Sequence, residues 1–268
     1  MHKLKIGFIF VFDFKKIMNS KSPFQFTFSI ITIPFYFVLS IWIVYWIDIV
    51  LQLDLSSYGI LPRTETGLKG VVFSIFLHGN FQHLINNSLP LFVLTAFLMY
   101  FYRKQTWKVI IFGTILSGFI TWSIARGNSY HIGASGLIYV MASFIFFKGF
   151  QSQYYRLMAL SLVIVFLYGG MIWYMFPTTD NQISWEGHLA GFIAGFILSK
   201  LLEAPKIEPE LKYDWQKPDY DSSQDKFMQR FDENGNFVNP PKPEEDELKI
   251  FDILYHFKSN EEKNNNEG

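Results

Sequence analysis

Apolar residues in this chain are gathered into blocks. Six runs stand out, at 26–50, 83–101, 107–125, 133–147, 155–176 and 187–202. A helix rising 1.5 Å per residue needs about 20 mostly apolar residues to cross the hydrocarbon core of a bilayer. The first and fifth runs meet that standard without interruption; the second, fourth and sixth carry polar residues and are weaker by hydropathy alone. The pattern predicts an all-α membrane protein with six transmembrane helices. Between the first two runs lies a long connection, 51–82, ending in an apolar stretch at 71–77 that is too short to span. Irregular backbone at membrane depth must be covered by protein or line a wet cavity, so an ordered, partly embedded outer loop is expected there.

After residue 203 the pattern stops. Prolines and acidic runs such as Glu244-Glu245-Asp246-Glu247 take over, a composition that cannot bury enough apolar surface to fold alone. Most of the tail is therefore expected to be disordered. Two stretches, 227–237 and 248–257, carry aromatic and aliphatic residues at spacings suited to short strands or a docking segment, and 232–236 reads as a hairpin turn. The organisation predicted is a cytoplasmic N-terminal segment at 1–25, a six-helix core at 26–203 and an acidic cytoplasmic tail at 204–268.

Composition sharpens this picture. Of 268 residues, 50% are hydrophobic and 30 are phenylalanine, too apolar for an ordinary soluble domain. The formal net charge of zero conceals a split: residues 1–203 carry 14 Lys and Arg against 7 Asp and Glu, and the tail carries 9 against 16. Lys and Arg near the predicted span ends fall 12 on one side of the bilayer and 3 on the other, which puts both termini in the cytoplasm. The expected setting is a bacterial inner (plasma) membrane. The N-terminal apolar stretch at 6–12 is short, is followed at once by Asp13-Phe14-Lys15-Lys16 and shows no small-residue cleavage site, so it reads as a surface-lying segment and not a signal peptide. With no cysteine, disulfides and thiolate metal sites are excluded.

Polar residues inside the runs are the candidate chemistry, since ionisable groups within a bilayer are functional hypotheses by default. Ser135 lies between glycines in Gly133-Ala134-Ser135-Gly136, with Tyr139 one helical turn on. His188, Gly191 and Gly195 fall on one face of the last run, so a potential base sits on the seam best able to press against a neighbour. At the start of the second run His83 and Asn87 stack at i, i+4, and with the Ser135 backbone N–H they would make donors for an oxyanion. Taken singly, each motif also reads as a small-residue packing face or an interhelical hydrogen-bond network. His78 and His131 are further candidates, the latter as a reserve base, and Asp48 or Glu186 could orient a histidine. No lysine lies mid-run for a Ser–Lys pair. A metal site from His83, His131 and His188 lacks paired ligand spacing and leaves the serine without a role.

Together, His78-x4-His83-x3-Asn87, Gly133-x-Ser135-Gly136 with Tyr139, and Gly187-His188-x2-Gly191-x3-Gly195 resemble the rhomboid family of intramembrane serine proteases, over about residues 26–203. The resemblance implies a six-helix rhomboid-like bundle with Ser135 as nucleophile, His188 as general base, Tyr139 packed beneath the histidine ring, and His83 with Asn87 supporting the oxyanion. It implies a role for His78 in shaping the loop, transmembrane proteins as substrates, and neither metal nor cofactor. No nucleic-acid partner is expected; the lipid bilayer is the setting, and a cytoplasmic partner is assigned to the tail. Two departures stand out. Lys69-Gly70 occupies the place of a Trp-Arg pair common in the family's first outer loop, and Gly187 replaces the usual alanine before the histidine. The alternative is a catalytically silent membrane-protein binder of the same fold.

Overall fold

The computed structural model describes residues 24–127, 129–177, 184–205, 213, 215 and 219–238. Its long helices are α1 (Ser29–Leu51), α2 (Phe81–Phe101), α3 (Thr106–Ile124), α4 (Ser135–Gln151), α5 (Tyr155–Tyr168) and α6 (Trp185–Leu201). A 3-10 segment, Gly169–Met175, extends α5. Four of these qualify by length and hydropathy to cross a membrane: Ser29–Leu51, Phe81–Phe101, Thr106–Ile124 and the α5 unit Tyr155–Met175. The protein is a multi-pass membrane protein. The other two long helices, α4 and α6, have 17 residues each, about 25 Å of rise against a hydrocarbon core of about 30 Å. Their shortness matches the short apolar runs at 133–147 and 187–202, and each begins with small or polar residues, Ser135-Gly136 in α4 and Glu186-Gly187-His188 in α6.

Local signals set the helix starts. Asn80 accepts the His83 backbone N–H at 2.8 Å to cap α2, and Ser184 accepts that of Gly187 at 3.2 Å to cap α6; each satisfies an otherwise unpaired first-turn donor. Pro34 and Pro90 lie inside α1 and α2, as membrane helices tolerate.

The centre of the fold is α4, which packs against α2, α3, α5 and α6. Leu137, Met141, Phe144 and Ile145 of α4 meet Leu84, Leu91, Leu94 and Leu98 of α2 in a closed core. The tightest seam joins α4 to α6. A Cβ on Gly191 would strike the carbonyl of Gly136, and one on Gly195 would strike that of Val140, so these two positions admit only glycine at this approach. Many other large apolar side chains are exposed, Phe166 of α5 being 88% exposed.

The 51–82 connection is ordered, as expected, and buries Val71, Ser74, Ile75 and Leu77. It is stitched to α3. Arg63 donates to the carbonyl of Ala125 at 2.7 Å, placing a cation at the helix C-terminus, and Trp122 donates its indole N–H to Thr64 at 2.9 Å. An antiparallel bridge joins Ile60 to His131. At Gly70 a Cβ would collide with the Gly59–Ile60 backbone, while Lys69 lies 4.1 Å over the Tyr58 ring. The loop is too close-packed at 70 to admit any side chain there without moving the backbone.

The chain divides into two compact units, Met1–Glu208 and Pro209–Gly268. In the second, Phe231 and Phe237 form an antiparallel bridge. Asp232 closes the turn by accepting the backbone N–H groups of Asn234 at 2.9 Å and Asn236 at 2.8 Å, the hairpin expected at 232–236. Hydrogen bonds from the Asn236 side chain and backbone hold the Asp232 carboxyl below the usual carboxylate range. The stretch at 248–257 and the N-terminal segment through residue 23 lie outside the described residues.

Candidate active site

Ser135 opens α4 and His188 lies in the first turn of α6. The glycine seam between those helices brings their side chains together: His188 Nε2 lies 3.0 Å from Ser135 Oγ. Beneath the histidine, the Tyr139 ring is stacked at 4.5 Å between centroids and 18° between planes. Its hydroxyl donates to the carbonyl of Met171 at 2.6 Å. On the histidine's far side, Nδ1 lies 2.9 Å from the carbonyl of Tyr174.

Gly133 joins the serine loop to α2. Its φ of +115° belongs to the region that favours glycine, and a Cβ there would lie 2.5 Å from the His83 ring and 3.5 Å from Asn87 Nδ2. The Gly133 N–H is tied to Ser74 at 2.8 Å. The amide Nδ2 of Asn87 is buried without a hydrogen-bond partner, a costly state for a donor. His78 packs edge-on to His83 at 5.1 Å, and its buried Nε2 is likewise unsatisfied. Burial first, then the neighbouring His83, push the His78 imidazole down to about 4. Ser135, His188, His83, Asn87 and Tyr139 all line one cavity of about 640 Å³.

The reserve candidates are engaged elsewhere. His131 Nε2 donates to the carbonyl of Arg126 at 3.1 Å and its Nδ1 meets Ser184 Oγ at 2.6 Å, so it braces the α6 cap. Glu186, 2% exposed, pairs with Arg126 at 2.8 Å, and Asp48 accepts the Leu55 N–H at 2.9 Å. Neither carboxylate orients a histidine. Among the described residues no cluster of three or more His, Cys, Asp or Glu could hold a metal. Lys148 donates to Ser199 at 2.9 Å, thirteen residues and about 20 Å along α4 from the serine. Sequence reasoning missed the carbonyls of Met171 and Tyr174. Every residue carries a carbonyl, so its aim leaves no mark in a sequence.

The Rhomboid domain matches residues 65–204. An uncharacterized protein of Mycobacterium tuberculosis is 36% identical over 179 residues, covering 63% of this chain and 74% of that protein. One from Mycobacterium leprae is 32% identical, covering 63% and 70%. A Bacillus subtilis protein named a putative rhomboid protease is 26% identical over 133 residues, covering 49% and 65%.

Proposed function

The chain belongs to the rhomboid family, and from that premise we propose that it is an intramembrane serine endopeptidase acting on transmembrane segments of other proteins. The observation that carries this reading is the Ser135 Oγ–His188 Nε2 contact of 3.0 Å, made inside a cavity that also holds the unsatisfied amide of Asn87. His188 takes the hydroxyl proton as Ser135 attacks the scissile carbonyl, because a serine is a weak nucleophile without an adjacent base. The tetrahedral oxyanion receives hydrogen bonds from Asn87 Nδ2, His83 and the Ser135 N–H, which belongs to the first turn of α4 and sits at the positive end of its dipole. His188 then protonates the leaving amine, and water admitted through the cavity hydrolyses the acyl-enzyme by the same base. Six membrane passages, with α4 and α6 shielded by their neighbours, and cytoplasmic termini complete the proposal.

The test is labelling by a fluorophosphonate, together with cleavage of a transmembrane substrate in liposomes. Wild-type protein is expected to be labelled and active, and Ser135→Ala and His188→Ala to be folded, unlabelled and inactive. Full activity in either variant would sink the assignment. Folded wild-type protein that neither labels nor cleaves would favour the silent membrane-protein binder.

A further inference from the structure

We infer that the backbone carbonyl of Tyr174 is the third member of the site, a positioning group that holds His188 in the one neutral tautomer able to accept the serine proton. The inference rests on the reading of Ser135 and His188 as nucleophile and base, and concerns what aligns them.

A carbonyl oxygen can only accept a hydrogen bond. The 2.9 Å contact between Tyr174 O and His188 Nδ1 therefore requires the ring proton on Nδ1. That leaves a lone pair on Nε2, 3.0 Å from Ser135 Oγ, the arrangement in which the hydroxyl donates to the ring. In a Ser–His–Asp triad a buried carboxylate fixes this tautomer, and removing its acceptor charge leaves the geometry but presents the wrong nitrogen. Here the nearest carboxylate in sequence, Glu186, is committed to Arg126, and the tautomer falls to a peptide group.

The same segment, Gly169–Met175, supplies a second anchor. Its Met171 carbonyl accepts the hydroxyl of Tyr139, whose ring lies flat against the imidazole. One short piece of 3-10 helix thus holds both rings of the stack, the imidazole by its Nδ1 and the phenol by its hydroxyl. Tyr174 stands next to last in that helix, where carbonyls have no acceptor duty within the helix and point onward. The base is competent only while this segment is seated over α6. When the segment is displaced, Nδ1 loses its acceptor, and a ring protonated on Nε2 cannot take a proton from Ser135.

The experiment uses the full chain in bicelles with ¹⁵N-labelled histidine, the His188 signals being assigned by their loss in His188→Gln. Wild-type protein is expected to show a neutral His188 protonated on Nδ1. An ester is then placed in the backbone by incorporating the hydroxy-acid analogue of Met175, which weakens the Tyr174 carbonyl as an acceptor without changing any side chain. The His188 signals should move toward exchange between tautomers, and fluorophosphonate labelling should slow by roughly five- to tenfold, the worth of one hydrogen bond. The same replacement at Phe176, one peptide further on, should leave spectrum and rate as in wild type. Labelled wild-type protein with its proton on Nε2, or a Met175 ester with unchanged spectrum and rate, overturns the role of Tyr174 alone. Folded wild-type protein that is never labelled overturns the protease reading, and this role with it.

Discussion

His78 is buried next to His83, and its folded-state value of about 4 lies below the 6.5 of a free imidazole. Between those values the unfolded chain binds the proton and the folded chain refuses it. This contribution to stability is therefore complete above about pH 6.5, declines on acidification by about 1.4 kcal/mol per pH unit, and levels off near pH 4. Melting curves of wild type and His78→Phe in detergent should converge in slope at neutral pH and diverge below it, with the wild type losing more. Parallel curves would show that His78 is not held neutral. Asn87 makes a separate prediction: Asn87→Ala should lower kcat by about 100-fold with little change in melting temperature, since its amide has no hydrogen-bond partner to lose and, on the proposed mechanism, meets charge formed only in the transition state. The sequence singled out Ser135, His188, His83 and Asn87, which the structure brings to one cavity, because helical periodicity sets faces and chemistry restricts residue types. It did not reveal the bracing role of His131, whose partner Ser184 lies far away in sequence and meets it only in the fold.

The α4–α6 seam decides whether serine and histidine touch at all. Gly195→Val should drive a side chain into the Val140 carbonyl and the Ser143 Cβ, costing about 1–3 kcal/mol in overpacking and suppressing fluorophosphonate labelling more than melting temperature alone would explain. Gly170→Ala is the matched control, since nothing lies within 4 Å of the added carbon; both readings should stay at wild-type levels. That seam was legible as Gly191-x-x-x-Gly195 following His188. The change from α-helix to 3-10 helix at Gly169 was not, because residues 155–176 read as one apolar run and hydropathy is blind to which carbonyls turn inward. The shortness of α4 and α6 was visible in the run lengths, although hydropathy by itself did not reveal that these weakest candidates form the centre of the bundle.

At the level of the assembled chain, the two compact units divide after Glu208, and Gln105 of the first unit donates to the carbonyl of Glu203 at 3.0 Å. Truncation after Glu208 keeps that contact and should preserve cleavage of a model transmembrane substrate to within about twofold, well under the tenfold that 1.4 kcal/mol on the barrier would produce. A stable truncated protein with little activity would give the tail a part in turnover. The peptide acceptor on His188 also bears on how such a site can exist in lipid. Transferring an isolated carboxylate into a medium of low dielectric costs on the order of 20 kcal/mol in the Born limit, whereas serine, neutral imidazole and carbonyl carry no formal charge. On the proposed mechanism the resting centre is electroneutral, and the adjacent Arg126–Glu186 pair cancels itself. Opposite charges would then arise only as the imidazolium and the oxyanion, side by side, for the lifetime of the tetrahedral intermediate, leaving transmembrane voltage and bulk ionic strength no standing charge there on which to act.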